Sequence, residues 1–368
     1  MLEIDSVAVF DAQSSSTGAR KRRASRGCAR LTDARIPKEI QPFPSWARLR
    51  TPPVGGPNAA ADAAFVAGAS LARLDQIMRS GADVSRAGEN FGEGGAEPVF
   101  AGALRQRLAL RAAAACARIA RLREDEPALR DAEHLAGFDA APTPGARLHR
   151  VWRLFATRSA RFDARFIRAG AECLDLPPDI DCMALAALVQ TLSKVENPLN
   201  AAARVSADTL HILDDDASPI DAEILALWLA DLVLARRLGW AAPLPLLATV
   251  ITHRCSRTAL NRRPHPSDPD WTSSIARAMA RASQETYALA GELSRRSETL
   301  LHVAPRLRAK RAAHVVDLLL ADDCVSAPRA AKAAGLSDRA ARRLFDRLVA
   351  LGAVRELTGR ANFRLYGL

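Results

Sequence analysis

Arg339, Arg343 and Arg347 recur at i, i+4 and i+8, a spacing that sets three guanidinium groups along one face of a helix. Arg342 flanks that stripe, and Ser337 stands where the helix is expected to begin. Arg360 falls in the tight turn Thr358-Gly359-Arg360-Ala361. The guanidinium fork matches phosphate oxygens bidentately, and a helix start offers free N–H groups to a phosphate or a groove edge. Ser337, Arg339, Arg342, Arg343, Arg347 and Arg360 are therefore the candidate nucleic-acid contacts, with double-stranded DNA as the expected partner. Asp338 and Asp346 beside the stripe support an alternative, a solvated basic face on a module that docks another protein.

Other chemistry-bearing residues do not assemble into a site. The seven histidines are scattered, and the nearest approach to a ligand pair is His253-Arg254-Cys255. Two residues that close on a helix point in different directions, so no zinc site is expected there. Glu124-Asp125-Glu126 and Asp214-Asp215-Asp216 precede Pro127 and Ser218-Pro219, where helix capping accounts for them. None of the six cysteines stands in C-x-x-C spacing, and free, mostly buried thiols in a reducing compartment are expected. No phosphate-binding glycine loop, G-x-S-x-G or H-E-x-x-H is present. The two tyrosines lie in a helix and in a strand, away from any strand-transfer pattern. No enzymatic activity, cofactor or metal is expected.

The elements that position the arginines form a module over residues 306–368. Lys310–Leu320 has amphipathic helical spacing and is followed by a short alanine-rich helix from Ser326, which ends at Gly335. Ser337 caps a second helix over 338–351, with Ala341, Leu344, Phe345 and Leu348 inward and Gly352 as its stop. Val354–Leu357 and Asn362–Tyr366 then read as two strands about a glycine turn. Helix, turn, capped helix and hairpin together predict a winged helix-turn-helix.

Residues 44–305 carry helical periodicity and predict an all-α body. Segments include 60–80, Leu104–Leu122, Pro127–Leu135, Pro144–Thr157, Phe162–Leu174, Pro178–Ser193, Pro198–Leu213, Pro219–Leu238 and Trp271–Val303. No strand is expected before residue 354. The apolar run Ile220–Leu234 is interrupted by Asp221, Glu223 and Asp231, which suits a buried helix and not a membrane span. Residues 1–43 hold Arg20-Lys21-Arg22-Arg23 among small polar residues and are expected to be a disordered basic arm. With no secretory leader pattern at the start, a soluble cytoplasmic protein is expected.

The chain has 368 residues and a formal charge of +11. Only five of its 52 basic residues are lysine, so a GC-rich genome could account for the excess arginine. The distribution argues otherwise: residues 1–60 carry +5, the middle 240 carry −1 and residues 301–368 carry +7. A polyanionic partner should meet the ends of the chain.

Leu104–Ala114, Arg123–His134, Leu234–Pro245 and Asp338–Leu368 resemble an uncharacterised proteobacterial family, domain of unknown function 1403, from about Pro44 onward. The resemblance implies a bacterial protein often associated with plasmids or other mobile elements, and it carries over no catalytic residues. The expected function is that of a DNA-binding accessory or regulatory protein. The alternative is a structural or scaffold subunit whose winged helix docks a protein, either another partner or a second copy in a homo-oligomer. A hydrolase or nuclease assembled from scattered acids is the weakest reading.

Overall fold

The computed structural model describes residues 40–48, 59–80, 97–135, 142–157, 163–195, 197–213, 217–307, 311–360 and 362–368. The expected basic arm lies outside the described residues up to residue 39, as does the acidic run 214–216. Residues 40–43, the end of that expected arm, pack on the body. Phe43 sets its ring edge-on to Tyr287 at 5.3 Å, and the Tyr287 hydroxyl donates to the Gln41 carbonyl at 2.7 Å. A large apolar side chain among prolines supplies the burial that the polar segment upstream lacks.

The fold is mainly helical. The body contains α1 (Ala59–Met78), α2 (Ala101–Ile119), α3 (Glu126–Leu135), α4 (Pro144–Thr157) and α5 (Ala164–Cys173). It continues with α6 (Cys182–Leu192), α7 (Pro198–Ile212), α8 (Pro219–Leu238), the single turn α9 (Leu247–Val250) and the long α10 (Trp271–Val303). Short polar side chains fix several starts. Asp163 accepts the Phe166 N–H at 2.9 Å, and Asn197 accepts those of Leu199 and Asn200. Asp181 accepts the Ala184 N–H at 2.8 Å, so α6 begins at Cys182 and not at the expected Pro178. Ser218 occupies the cap position of α8, but its hydroxyl makes no capping bond.

Every residue from Ala222 to Ala235 is buried, so α8 runs through the centre of the body. The Trp228 ring lies 5.0 Å from that of Phe155 and 4.9 Å from that of Phe166. A Cβ added at Gly170 would meet the Trp228 ring at 3.4 Å, so α5 packs in van der Waals contact with the indole. Of the acids that interrupt the apolar run, the two that are buried, Glu223 and Asp231, each have a partner. Glu223 is held by the Arg263 guanidinium. Asp231 accepts the N–H groups of Leu246 and Leu247 at the start of α9. Around this helix, α7 packs on α8, α2 on α4, and α1 along α10. No helix among the described residues is long and apolar enough to cross a membrane.

The C-terminal elements are α11 (Ala312–Ala321), β1 (Val325–Ser326), α12 (Ala327–Ala334), α13 (Asp338–Ala350), β2 (Arg355–Glu356) and β3 (Leu365–Gly367). The three strands form one antiparallel sheet in the order β1-β3-β2, with Val325 opposite Tyr366 and Glu356 opposite Tyr366 on the other side. β1 corrects the expectation of no strand before residue 354. Two residues are too few to show alternation, and they become a strand only because β3 supplies their partners. Phe345 stacks flat on Tyr366 at 4.2 Å, joining α13 to the sheet. Gly335 (φ 61°) and Gly352 (φ 68°) end α12 and α13 in left-handed conformations that favour glycine.

These elements are joined closely to the body, and the described residues from 40 onward belong to one compact unit. A Cβ on Gly102 of α2 would lie 2.7 Å from the Ala321 Cα, so α2 and α11 meet backbone to backbone. Arg153 of α4 holds Asp322 through two hydrogen bonds of 3.2 and 3.1 Å, and Arg107 donates to the Leu368 carbonyl at 3.1 Å. The boundary expected at 305/306 therefore falls between packed elements within one unit.

Candidate nucleic-acid interface

α13 arranges the candidate residues as its periodicity requires. Ala341, Leu344, Phe345 and Leu348 are buried, while Arg339, Arg342, Arg343 and Arg347 lie exposed on the opposite side. None of these four arginines has a hydrogen-bond or ion-pair partner among the described residues. A guanidinium left with all its donors in water is available for an anion at little desolvation cost. Asp338 and Asp346 are exposed on the same helix, so the face holds four positive and two negative side chains.

Two candidates have structural duties. The Ser337 hydroxyl accepts the Ala340 N–H at 3.3 Å, which fixes the start of α13. Arg360 is exposed, but its Nη2 pairs with the Asp131 carboxylate of α3 at 2.6 Å. This changes its expected place at a free turn tip: the turn lies against α3, and Arg130 beside it reaches the Leu357 carbonyl at 3.5 Å. Arg360 is thus apart from the four free arginines in its bonding.

The turn between α12 and α13 is braced by a residue that the sequence pattern left unassigned. Arg311 donates to the carbonyls of Ala334 and Gly335 at 3.2 and 2.6 Å, a cation at the negative end of α12. Phe363 was also missed. It is 74% exposed at the turn between β2 and β3, in a left-handed conformation (φ 58°). An apolar ring in that backbone region is uncommon, and only its place in a glycine turn signals it.

The chain matches the model of a protein family described as protein of unknown function (DUF1403) over residues 29–368. The chain belongs to this family. Its matched region takes in the body, α13 and the small sheet alike. No curated protein matches the sequence.

The structure also revises the expectation for His253 and Cys255. His253 caps a turn of 3₁₀ helix at Arg254–Ser256 that contains Cys255, and His253 Nδ1 comes within 3.0 Å of Cys255 Sγ. The expected α-helix would have splayed them; the tight turn folds the ring back onto the Cys255 N–H. The Glu124–Glu126 cluster behaves as expected, with Asp125 accepting the Ala128 N–H at 2.9 Å. The five described cysteines are free, and burial pushes the Cys116 thiol up to about 12. Among the described residues, one group brings three metal-ligating side chains together: His134, Asp323 and Cys324, whose ligand atoms all lie within 4.8 Å of one another.

Proposed function

We propose that residues 306–368 are a winged helix-turn-helix and that the protein binds double-stranded DNA through α13. On this reading it is a bacterial DNA-binding accessory or regulatory protein of the cytoplasm, associated with a plasmid or other mobile element, and it acts without catalysis. The carrying observation is the set of four exposed, unpartnered arginines on one helix face: Arg339, Arg342, Arg343 and Arg347. The element order supports it, because a helix, a short strand, two helices about a glycine turn and a two-strand hairpin in sheet order β1-β3-β2 suit a wing beside a groove-reading helix. In this mode Ser337 caps the helix next to the backbone, and Phe363 at the turn tip meets the duplex edge.

Fluorescence anisotropy with a labelled random duplex at low and moderate salt tests the reading. Binding is expected at low salt and should weaken in Arg339→Ala/Arg343→Ala. Absence of binding, or binding indifferent to the substitutions, would overturn it.

A second reading, a scaffold subunit whose winged helix docks a protein, is supported by Asp338 and Asp346 on the α13 face and by exposed Phe363. A complex with a purified partner that duplex DNA does not displace would favour it.

A further inference from the structure

We propose that His134, Asp323 and Cys324 form a zinc site that ties the helical body to the C-terminal elements. The inference stands independently of DNA binding. His134 is in the last turn of α3, while Asp323 and Cys324 lie in the short connector between α11 and β1. All three side chains are sealed from solvent, Asp323 and Cys324 completely enough to be 3% and 0% exposed.

The protein alone leaves this cluster unsatisfied. His134 Nε2 faces Asp323 Oδ1 at 3.8 Å, beyond hydrogen-bonding distance, and both atoms are buried without a hydrogen-bond partner. A carboxylate oxygen orphaned in the interior costs its full desolvation penalty, so such groups normally have a partner. Arg153 offers an ion pair but no hydrogen bond. Its guanidinium is engaged with Asp322 and stays 3.7 Å from Asp323 Oδ1. Arg329 pairs with Asp322 as well, at 2.6 Å. A further polar group lies near: His149 of α4 is wholly buried, with neither ring nitrogen hydrogen-bonded, and interacts electrostatically with both His134 and Asp323.

The donor set selects the ion. An imidazole, a carboxylate and a thiolate together suit zinc and not the oxygen-seeking calcium or magnesium. Tetrahedral zinc with bonds of about 2.0–2.3 Å would hold its ligand atoms roughly 3.3–3.7 Å apart, so the cluster need close by only about 1 Å. On binding, the Cys324 thiol gives up its proton to solvent, its sulfur bonds to the ion, and the neutral imidazole and ionised carboxylate donate lone pairs. The result is a cross-link from α3 to the connector that leads into β1.

The test uses the full chain carrying His253→Gln/Cys255→Ser, which removes the surface His–Cys pair, stripped with a chelator and titrated with Zn²⁺ or Co²⁺ alone. One ion per chain, a thiolate-to-cobalt charge-transfer band and a higher Tm with zinc are expected. The band should be lost in Cys324→Ala and in His134→Gln. Where a variant loses its fold, mapping cysteine alkylation by mass spectrometry in the parent protein, in urea that opens the chelator-stripped chain, decides, and Cys324 should be the thiol that zinc protects. No stoichiometric binding, a band that survives Cys324→Ala, or protection of a different cysteine would overturn the proposal.

Discussion

Gly102→Ala is the sharpest test of how the body holds the C-terminal elements, because two effects of opposite sign compete at that position. Alanine is the better helix former, and in a helix interior the exchange gains up to about 1 kcal/mol. Against this, the new Cβ would lie 2.7, 2.8 and 3.0 Å from the Ala321 Cα, O and carbonyl C. These are backbone atoms of α11 and cannot rotate away, so the helices must separate. Overpacking of this kind costs about 1–3 kcal/mol. Gly102 is only the second residue of α2, where the propensity gain is smaller than in the interior. The net expectation is a loss of about 1–2 kcal/mol. Urea denaturation should show a lower midpoint, and hydrogen exchange should accelerate in Ala312–Ala321 relative to α8. A midpoint equal to or above that of the parent would refute backbone contact between α2 and α11.

Three further outcomes follow from particular contacts. Burial raises the Asp231 carboxyl from 3.8 to about 8, against the opposing Leu247 and Leu246 N–H bonds. Between those values the folded state holds a proton the unfolded state lacks, so stability should fall as pH rises, by up to about 1.4 kcal/mol per unit from this group. Asp231→Asn should match the parent near pH 4, exceed it near pH 8 and flatten the slope in urea titrations; an unchanged slope would count against a protonated Asp231. Ser337→Ala removes the cap of α13 and should cost about 1 kcal/mol in the same measurement; a stability change near zero would show the cap to be idle. Asp131→Asn releases Arg360, a mostly exposed cation, so stability should change by less than about 1 kcal/mol. In anisotropy the freed guanidinium should steepen the salt dependence of duplex binding by about 0.9, and an unaltered slope would mean Arg360 reaches no phosphate.

Much of the helical body was legible because its boundaries are written in local chemistry. Asp163 and Asn197 cap helices by hydrogen bonds to residues two or three positions on, and Gly335 and Gly352 stop them. The buried and exposed sides of α13 likewise follow from periodicity alone. What was not legible depends on partners distant in sequence. β1 exists because β3 pairs with it, and Arg360 is engaged because the turn rests on Asp131. The group His134, Asp323 and Cys324 had no spacing signature, since α3 and the α11–β1 connector meet only in the folded chain. His253 and Cys255 lie in a 3₁₀ turn, whose tighter winding brings together two side chains that an α-helix would hold apart.

The most direct test of DNA binding through α13 is the slope of log K against log salt for a random duplex. If Arg339, Arg342, Arg343 and Arg347 each neutralise a phosphate, the parent slope should be about −3 to −4. Replacing all four by alanine, with the fold verified by circular dichroism, should bring the slope close to zero and abolish binding at moderate salt. A quadruple variant that binds with the parent's affinity and slope would contradict the assignment of α13 as the DNA-binding face.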